Sequence, residues 1–255
     1  MNISRYKNFL LSSAILLVSL SSLAYLIKER KFFTRNIKEL IFSKNYINNY
    51  EVSEKDKFWA KKILSGGYIL FFRHAERDKW IDVQMYDALE SKLQDKKSDS
   101  FRFAENEYFE GAVCLNKRGK IQAKAMGEVI KYSKLPVGYI VSSPSCRARQ
   151  TADLVFGGYD ELEKKFVHIG PYSEVGDRSY YLENYILNLP RSKDKNSIIT
   201  AHNGVIGYHL FEGNKSLEEG GFYVLAIKNN KLVLEHEFHN FNSFSKNFFI
   251  RNHNL

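Results

Sequence analysis

The segment that most constrains this fold is a short apolar run that breaks abruptly into charge. Tyr68 to Phe72 is long enough for one buried strand, and Arg73-His74-Ala75-Glu76-Arg77 follows directly. In open α/β sheets, ligands bind outside the carboxyl ends of the strands. A guanidinium and an imidazole side by side at such an end therefore predict an anion site. This run alone leaves a second interpretation open, a strand followed by a solvated charged loop.

Apolar runs and helical patterns alternate along the rest of the chain. Further strands are predicted at Val137–Val141, Lys165–Ile169, Ser197–Thr200, Phe222–Ile227 and Lys231–Phe238. Helices are predicted at Glu51–Leu64, Lys120–Lys131, Tyr180–Leu189 and Val205–Phe211, and from Ser143 as N-cap with Pro144 at the first helical position. The alternation predicts an α/β domain over residues 65–255, a three-layer sandwich with a mostly parallel central sheet and helices on both faces. The polar stretch at about residues 80–111 is too long for a simple connection, and it is interpreted as an insertion over the site.

The amino-terminal segment predicts a membrane anchor. Phe9 to Ile27 carries no charge and is long enough to span a bilayer as a transmembrane helix. An uncleaved signal anchor over residues 1–30 is favoured over a signal peptide cleaved after Ser22-Leu23-Ala24, because the apolar run continues past Ala24. Residues 31–64 are interpreted as a juxtamembrane linker and helix. The count of flanking positive charges slightly favours a cytoplasmic body. The short tail and the signal-like layout favour an exported one, and we expect a single-pass protein with an extracytoplasmic catalytic domain.

Charge and cysteine content narrow the class of partner. The net charge of +9 favours anionic partners such as phosphorylated substrates or acidic membrane surfaces. Basic residues are scattered among acidic ones without interleaved stacking aromatics, so we expect no nucleic-acid partner. Cys114 and Cys146 show no metal-ligand spacing, and no metal is expected. They form a disulfide in one interpretation, if the domain is exported, and two free thiols in the favoured one.

Charged side chains follow the predicted strands where each strand ends. Arg73 and His74 follow the first, Arg147 lies one turn into the helix after the second, Glu174 lies in the loop after the third, and His202 follows the fourth. In a parallel sheet these carboxyl ends share one edge. Arginine forks match phosphate oxygens in a bidentate way, and the amino end of a helix attracts the same anion. The set therefore predicts a phosphate-handling site.

The motifs that carry these residues resemble those of the histidine phosphatase (phosphoglycerate-mutase-like) superfamily. Arg73-His74-Ala75-Glu76 resembles its Arg-His-Gly signature. The segment 143–152 is similar to its second motif, Ser-Pro-x-x-Arg-Ala-x-Gln-Thr-Ala, and the segment 198–204 resembles its late strand-His element. The resemblance runs from about Gly66 to about Phe238, with the three motifs in the family's order.

The resemblance implies a role for each site residue. His74 would attack phosphorus and carry a phosphohistidine intermediate, which divides hydrolysis into two easier displacements. Arg73, Arg147 and His202 would hold the three phosphoryl oxygens and stabilise the charge of the transition state. Neither a metal nor another cofactor is implied, because the arginines supply the positive field.

The resemblance leaves the general acid to be assigned. One branch of the superfamily uses a glutamate in the loop after a middle strand, and Glu174 occupies that place. The other branch uses an aspartate directly after the second histidine, where this chain has Asn203, which cannot act as an acid. Glu174 is therefore the predicted acid, with Glu76 and Asp78 as alternatives.

Two departures from the family pattern bear on specificity. Ala75 replaces the usual glycine, a small change that still lets the backbone approach phosphate. Arg77 extends the motif, and Arg-His-Ala-Glu-Arg with Asn203 after the second histidine is similar to bacterial enzymes assigned to phosphates on lipopolysaccharide core heptose. Glu76, Arg77 and Asn203 are accordingly predicted substrate contacts.

Taken together, the sequence predicts a membrane-tethered phosphatase that hydrolyses a phosphomonoester of a sugar, glycan or other small molecule. Two other functions remain open at this point. One is a catalytically silent phosphate-binding sensor or scaffold, against which the retained His74, Arg73, Arg147 and His202 argue. The other is a phosphohistidine-protein phosphatase, which needs a shallow open site and fits the long insertion less well.

Overall fold

The computed structural model describes residues 52–79, 110–167, 175–206, 211 and 216–249. The strands are β1 (Ile69–Arg73), β2 (Val137–Ser142), β3 (Glu161–Leu162), β4 (Asn196–Ala201), β5 (Phe222–Lys228) and β6 (Lys231–Phe238). The helices are α1 (Glu54–Lys62), α2 (Glu110–Val113), α3 (Lys117–Ser133), α4 (Cys146–Phe156), α5 (Val175–Leu187) and α6 (Phe241–Phe249). Short 3₁₀ turns lie at Ile63–Ser65 and Lys164–Phe166.

One mixed sheet organises the described residues, with strand order β3-β2-β4-β1-β5-β6. β1, β2, β3 and β4 run parallel, whereas β5 is antiparallel to β1 and β6 to β5. Thr200 of β4 lies opposite both Phe72 of β1 and Ser142 of β2. The carboxyl ends of the three strands are therefore level, and the residues that follow them meet at one edge of the sheet.

Alternation along β1 divides the core between the two faces of the sheet. Leu70 and Phe72 face the layer that contains α1, α3, α4 and α6, and Ile69 and Phe71 face the layer that contains α5. All four side chains are buried. The central strand is thus apolar on both faces, as expected for a strand covered on both sides, and the three-layer α/β prediction is confirmed at this level.

The predicted strands β1, β2, β4, β5 and β6 and the helices α1 and α3 are confirmed to within a few residues. The β5–β6 hairpin turns at Asn229 and Asn230, whose φ angles of 49° and 56° are in the left-handed region that asparagine tolerates. α6 was not predicted. It packs Phe244 against Phe222 and Phe238, with ring centroids 5.5 Å and 5.6 Å apart.

The third predicted strand, Lys165–Ile169, is wrong in position. The strand comes earlier, where Glu161 and Leu162 pair with the end of β2. The Glu163 side chain then accepts the backbone N–H of Lys165 at 2.7 Å and closes a 3₁₀ turn over Lys164–Phe166. This local side-chain bond competes with extended structure, so the apolar pattern of the segment does not form a strand.

Two helix starts also differ from the prediction. α4 begins at Cys146 with Ser145 as its N-cap, not at Pro144 with Ser143 as its N-cap. Ser143 stays with the strand instead, because its N–H donates to the carbonyl of Thr200 at 2.8 Å. Val205 and Ile206, predicted to begin a helix, are in a bend.

Several predictions concern residues outside the described ranges. They are the anchor over residues 1–30, the linker up to residue 51, the insertion at residues 80–109, the acid Glu174 and residues 207–210. Within the described ranges, no helix combines the length and the apolar composition needed to cross a membrane.

Candidate active site

The two histidines of the motifs meet at the carboxyl edge of the sheet. His74 follows β1 and His202 follows β4, and their ring centroids lie 5.3 Å apart. Both side chains are buried, with 4% and 1% of their surface exposed. The backbone N–H of His74 donates to the carbonyl of Ala201 at 3.0 Å, which extends the β1–β4 pairing by one step into the site. The parallel register therefore places both imidazoles together.

His74 has the protonation state that a nucleophile needs. Its Nδ1 lies 2.7 Å from the carbonyl oxygen of Ala75. Since a carbonyl only accepts, Nδ1 carries the proton and Nε2 keeps its lone pair. Burial, followed by the positive charges of Arg147 and Arg73, holds the pKa of His74 well below its ordinary value. The imidazole is thus neutral at neutral pH, with Nε2 available for attack.

Arg73 is the last residue of β1, and its guanidinium is tied to the segment before β5. Nη1 donates to the carbonyl of Leu217, and Nη2 lies 3.4 Å from Oε1 of Glu219. Nε is buried and makes no hydrogen bond to any described residue. Burial lowers the pKa of Arg73, and the carboxylate of Glu219 opposes that shift. An arginine remains protonated under such shifts, so the site keeps its positive charge.

Arg147 enters the site from the first turn of α4, with 1% of its surface exposed. Its Nη1 donates to the carbonyl of Val113 at 3.4 Å. One turn later, the Thr151 hydroxyl donates to the carbonyl of Arg147 at 2.7 Å and accepts the N–H of Ala75 at 3.0 Å. α4 therefore positions both the arginine and the backbone directly after His74.

A disulfide joins Cys114 to Cys146, so the favoured prediction of two free thiols is wrong. The two cysteines are 32 residues apart in sequence, and their Cα atoms are 4.8 Å apart. Sequence spacing gave no information on this distance, because it depends on how α4 packs against the segment that precedes α3.

Buried hydroxyl groups surround the same edge. Ser143 Oγ is hydrogen-bonded to Nε2 of His202 at 3.0 Å. The hydroxyls of Ser145 and Thr200 are buried and make no hydrogen bond to any described residue. Buried polar atoms normally have partners, so a water molecule or a polar ligand would satisfy these two hydroxyls.

Glu76, one of the alternative acids, is held by other side chains. Its carboxylate is bonded to Arg118, and its Oε1 accepts from Nδ2 of Asn116 at 3.2 Å. Asn116 Nδ2 also donates to Asp78 Oδ1 at 2.9 Å. Both carboxylates therefore belong to one polar cluster at the amino end of α3.

Arg77 and Asn203, the other predicted substrate contacts, make backbone contacts. Nη1 of Arg77 donates to the carbonyl of Asp78 at 2.7 Å. Oδ1 of Asn203 accepts the N–H of Leu217 at 3.1 Å and so holds the segment that also binds Arg73. Their predicted contacts with substrate remain predictions.

Some positioning residues were not recognised from the sequence. Thr151 is one position of the second motif, and Glu219 belongs to no motif. The motif threonine was the available signal for the first. Glu219 had none, because its contact with Arg73 spans 146 positions of the chain.

Arg73 also lines a cleft of about 530 Å³. Its lining is mainly polar and charged, and comprises Arg73, Glu76, Lys79, Gln122, Ser216, Leu217, Glu218, Glu219 and His239. Among the described residues, no group of three or more histidine, cysteine, aspartate or glutamate side chains is arranged to bind a metal ion.

A buried histidine lies near a second histidine and within the electrostatic influence of two arginines at the carboxyl edge of an α/β sheet, an arrangement suited to phosphoryl transfer. Residues 108–167, which include Arg147 and the second motif, match the histidine phosphatase superfamily (branch 1). Over these residues the chain is similar to that superfamily, and the similarity supports a phosphoric monoester hydrolase.

Similar solved structures include the protein histidine phosphatase SixA complexed with tungstate (16% identity, TM-score 0.43, 67% of this chain and 96% of that one). Others are a putative alpha-ribazole-5'-P phosphatase from Escherichia coli (12%, 0.44, 68% and 98%) and a phosphoserine phosphatase from Entamoeba histolytica in complex with 3-phosphoglyceric acid (17%, 0.41, 67% and 96%). No curated protein matches the chain.

Proposed function

We propose that this chain hydrolyses a phosphomonoester through a phosphohistidine formed on His74. The observation that carries the proposal is the state of that imidazole, which is buried, neutral, oriented by Ala75 and placed beside Arg73 and Arg147. An uncharged imidazole with a fixed tautomer is a nucleophile, and the adjacent guanidinium groups neutralise the charge on the phosphoryl oxygens.

The reaction has two balanced displacements. In the first, the Nε2 lone pair of His74 forms a bond to phosphorus while the bond to the leaving oxygen breaks, and that oxygen takes a proton from the general acid. In the second, water attacks the phosphohistidine, the P–N bond breaks, and the same acid–base group takes the proton of the water. Glu174 remains the proposed acid. Arg73, Arg147 and His202 hold the phosphoryl oxygens throughout.

A small, hydroxylated leaving group fits the cleft beside Arg73. Lys79 and Gln122 offer donors there, and Glu218 and Glu219 offer acceptors, a lining that suits hydroxyl groups better than an acyl chain. The motif form from Arg73 to Arg77 also resembles that of heptose phosphate enzymes. We therefore assign the substrate to phosphorylated sugars or glycans, including those of the cell envelope.

The proposed location is outside the cytoplasm, with residues 1–30 as a single-pass anchor. The Cys114–Cys146 disulfide supports this, because disulfides persist in oxidising compartments. The full chain is expressed in bacterial cells, and spheroplasts are then treated with protease. Degradation of the domain in intact spheroplasts is expected, and protection until lysis would contradict an exported domain.

The enzymatic proposal is tested with the full chain in detergent, using p-nitrophenyl phosphate in the presence of EDTA. Turnover is expected, and His74→Ala is expected to abolish it. His236→Gln is the matched control, since His236 bonds to Asp56 and stacks on Trp59 outside the site. Quenched reactions of the wild type should contain an acid-labile, base-stable phosphoenzyme. Tight phosphate binding without turnover of aryl or sugar phosphates would instead identify a silent sensor.

A further inference from the structure

The disulfide lies directly beside the arginine of the second motif. Cys146 is the first residue of α4 and immediately precedes Arg147, and Cys114 immediately follows Val113. The Val113 carbonyl accepts the hydrogen bond from Nη1 of Arg147. The disulfide therefore joins the two segments that carry the donor and the acceptor of one buried hydrogen bond, one residue away from each.

The segment that carries Val113 depends on contacts outside itself. α2 is only four residues long, and a helix of that length is not stable alone. The Gly111 carbonyl accepts the N–H of Asp78 at 2.8 Å, and the N–H of Leu115 donates to Oε1 of Gln150 at 2.9 Å. The disulfide adds a covalent link to α4 between these two points.

The same bond fixes the amino-terminal turn of α4. Ser145 is the N-cap, but its side chain makes no capping hydrogen bond. The N–H groups and the dipole at this end of an 11-residue helix favour an anion. Arg147 and this turn must therefore keep one orientation relative to His74 for both to contact the same phosphoryl group.

We propose that the Cys114–Cys146 disulfide positions Arg147 for phosphoryl binding, so that activity depends on the oxidised state of this pair. The inference rests on the proposed function of the site. The cysteines do not touch the substrate. They hold the Val113 carbonyl at a fixed position relative to the first turn of α4. The guanidinium of Arg147 is thereby directed to the phosphoryl oxygens. A bond that only stabilised the fold would leave the affinity for phosphoryl groups unchanged.

A dithiol such as dithiothreitol reduces the Cys114–Cys146 disulfide in two exchange steps. One thiolate of dithiothreitol attacks a cysteine sulfur, and its second thiol then closes a cyclic disulfide. Two electrons pass to the protein, which gains two protonated thiols. Oxidised glutathione reverses the change by accepting the same two electrons.

The test compares the wild type with Cys114→Ala/Cys146→Ala in the full chain. kcat and KM for p-nitrophenyl phosphate and the dissociation constant of orthovanadate are measured where circular dichroism shows each protein folded. Ile186→Ala, a buried change in the layer of α5, is the control for lost stability alone. We expect the disulfide-free protein to lose about 10- to 100-fold in kcat/KM and in vanadate affinity, because misplaced catalytic groups cost about that much. Ile186→Ala should retain both.

A double-mutant cycle assigns the effect to Arg147. Arg147→Lys, which removes the planar fork, should weaken vanadate binding strongly in the oxidised protein and much less in the disulfide-free one. Additive losses, or wild-type vanadate affinity without the disulfide, would overturn the proposal. If the double variant does not fold, the wild type is reduced with dithiothreitol and reoxidised, and vanadate affinity should fall and recover as two thiols per chain appear and disappear. Wild-type protein that binds vanadate but turns over no phosphoester would refute the proposed function, while the vanadate measurements would still decide the role of the disulfide.

Discussion

Gly119, in the first turn of α3, is predicted to be required for catalysis although it lies outside the motifs. The carbonyl of Glu76 is so close that a Cβ on Gly119 would lie 1.9 Å from its oxygen. Real Cβ atoms essentially never approach another heavy atom within 3.0 Å, so Gly119→Ala must displace this backbone by about 1 Å. Glu76 is two residues after His74, and its N–H is held by the side chain of Gln122 at 2.9 Å.

Two effects of this substitution oppose each other in the free energy of unfolding. Alanine in place of glycine within a helix stabilises by about 1 kcal/mol, and overpacking destabilises by about 1–3 kcal/mol. The net change in stability is therefore small, a loss of about 2 kcal/mol at most. Catalysis has no such compensation, because a misplacement of about 1 Å costs about 100-fold in rate. Helix propensity alone thus predicts a more stable protein. The contact with Glu76 predicts a folded but nearly inactive one.

The assay measures kcat for p-nitrophenyl phosphate together with urea unfolding of the same preparations. Gly157→Ala is the matched control, since a Cβ there meets nothing within 4 Å and the φ angle of 88° costs only local strain. It should lose about 1–2 kcal/mol of stability and keep its kcat. A Gly119→Ala protein that is more stable than the wild type and retains kcat within threefold would refute the argument.

Three further predictions concern pH and stability. The pKa of His74 is held below its ordinary value of about 6.5, so the unfolded chain binds more protons than the folded one below that pH. Urea unfolding should therefore show stability falling between pH 7 and pH 5 more in the wild type than in His74→Asn, and an equal or smaller fall would contradict the shift. Phe222→Ala should cost about 4 kcal/mol, because this buried ring stacks on Phe72 at 4.4 Å and on Phe238 at 4.7 Å, whereas exposed Phe58→Ala should change little. Removing the Cys114–Cys146 disulfide should cost about 4 kcal/mol by the chain-entropy relation for a loop with a sequence separation of 32, and a loss below 1 kcal/mol would show that the reduced chain remains constrained.

Local sequence patterns were sufficient to predict the position of residues that follow a buried strand. The apolar run before Arg73 and the run before His202 each predicted a strand, and both strands form with ends level in the sheet. The sequence alone therefore determined the parallel core and brought Arg73, His74, Arg147 and His202 to one edge. The physical reason is that burial on both faces requires continuous apolar runs, and that the carboxyl ends of parallel strands share one side of the sheet.

Positions decided by competing local bonds were not predictable in the same way. The segment after β3 has an apolar pattern, yet the Glu163 side chain bonds to its backbone and forms a turn. Ser143 has the chemistry of an N-cap, yet its hydroxyl is bonded to His202 and α4 begins at Cys146. At Glu163 the local bond to Lys165 prevails, whereas Ser143 bonds to His202, 59 positions away, a partner within reach only once the sheet has formed.

The sequence by itself predicted which residues carry the phosphoryl chemistry, because their order and their places after strands are local properties of the chain. Only the tertiary structure decided how these residues are held. It paired Cys114 with Cys146, directed Arg73 to Glu219, and placed the first turn of α3 against the carbonyl of Glu76. These contacts join segments tens of residues or more apart, and their distances depend on the packing of whole helices, which no local pattern encodes.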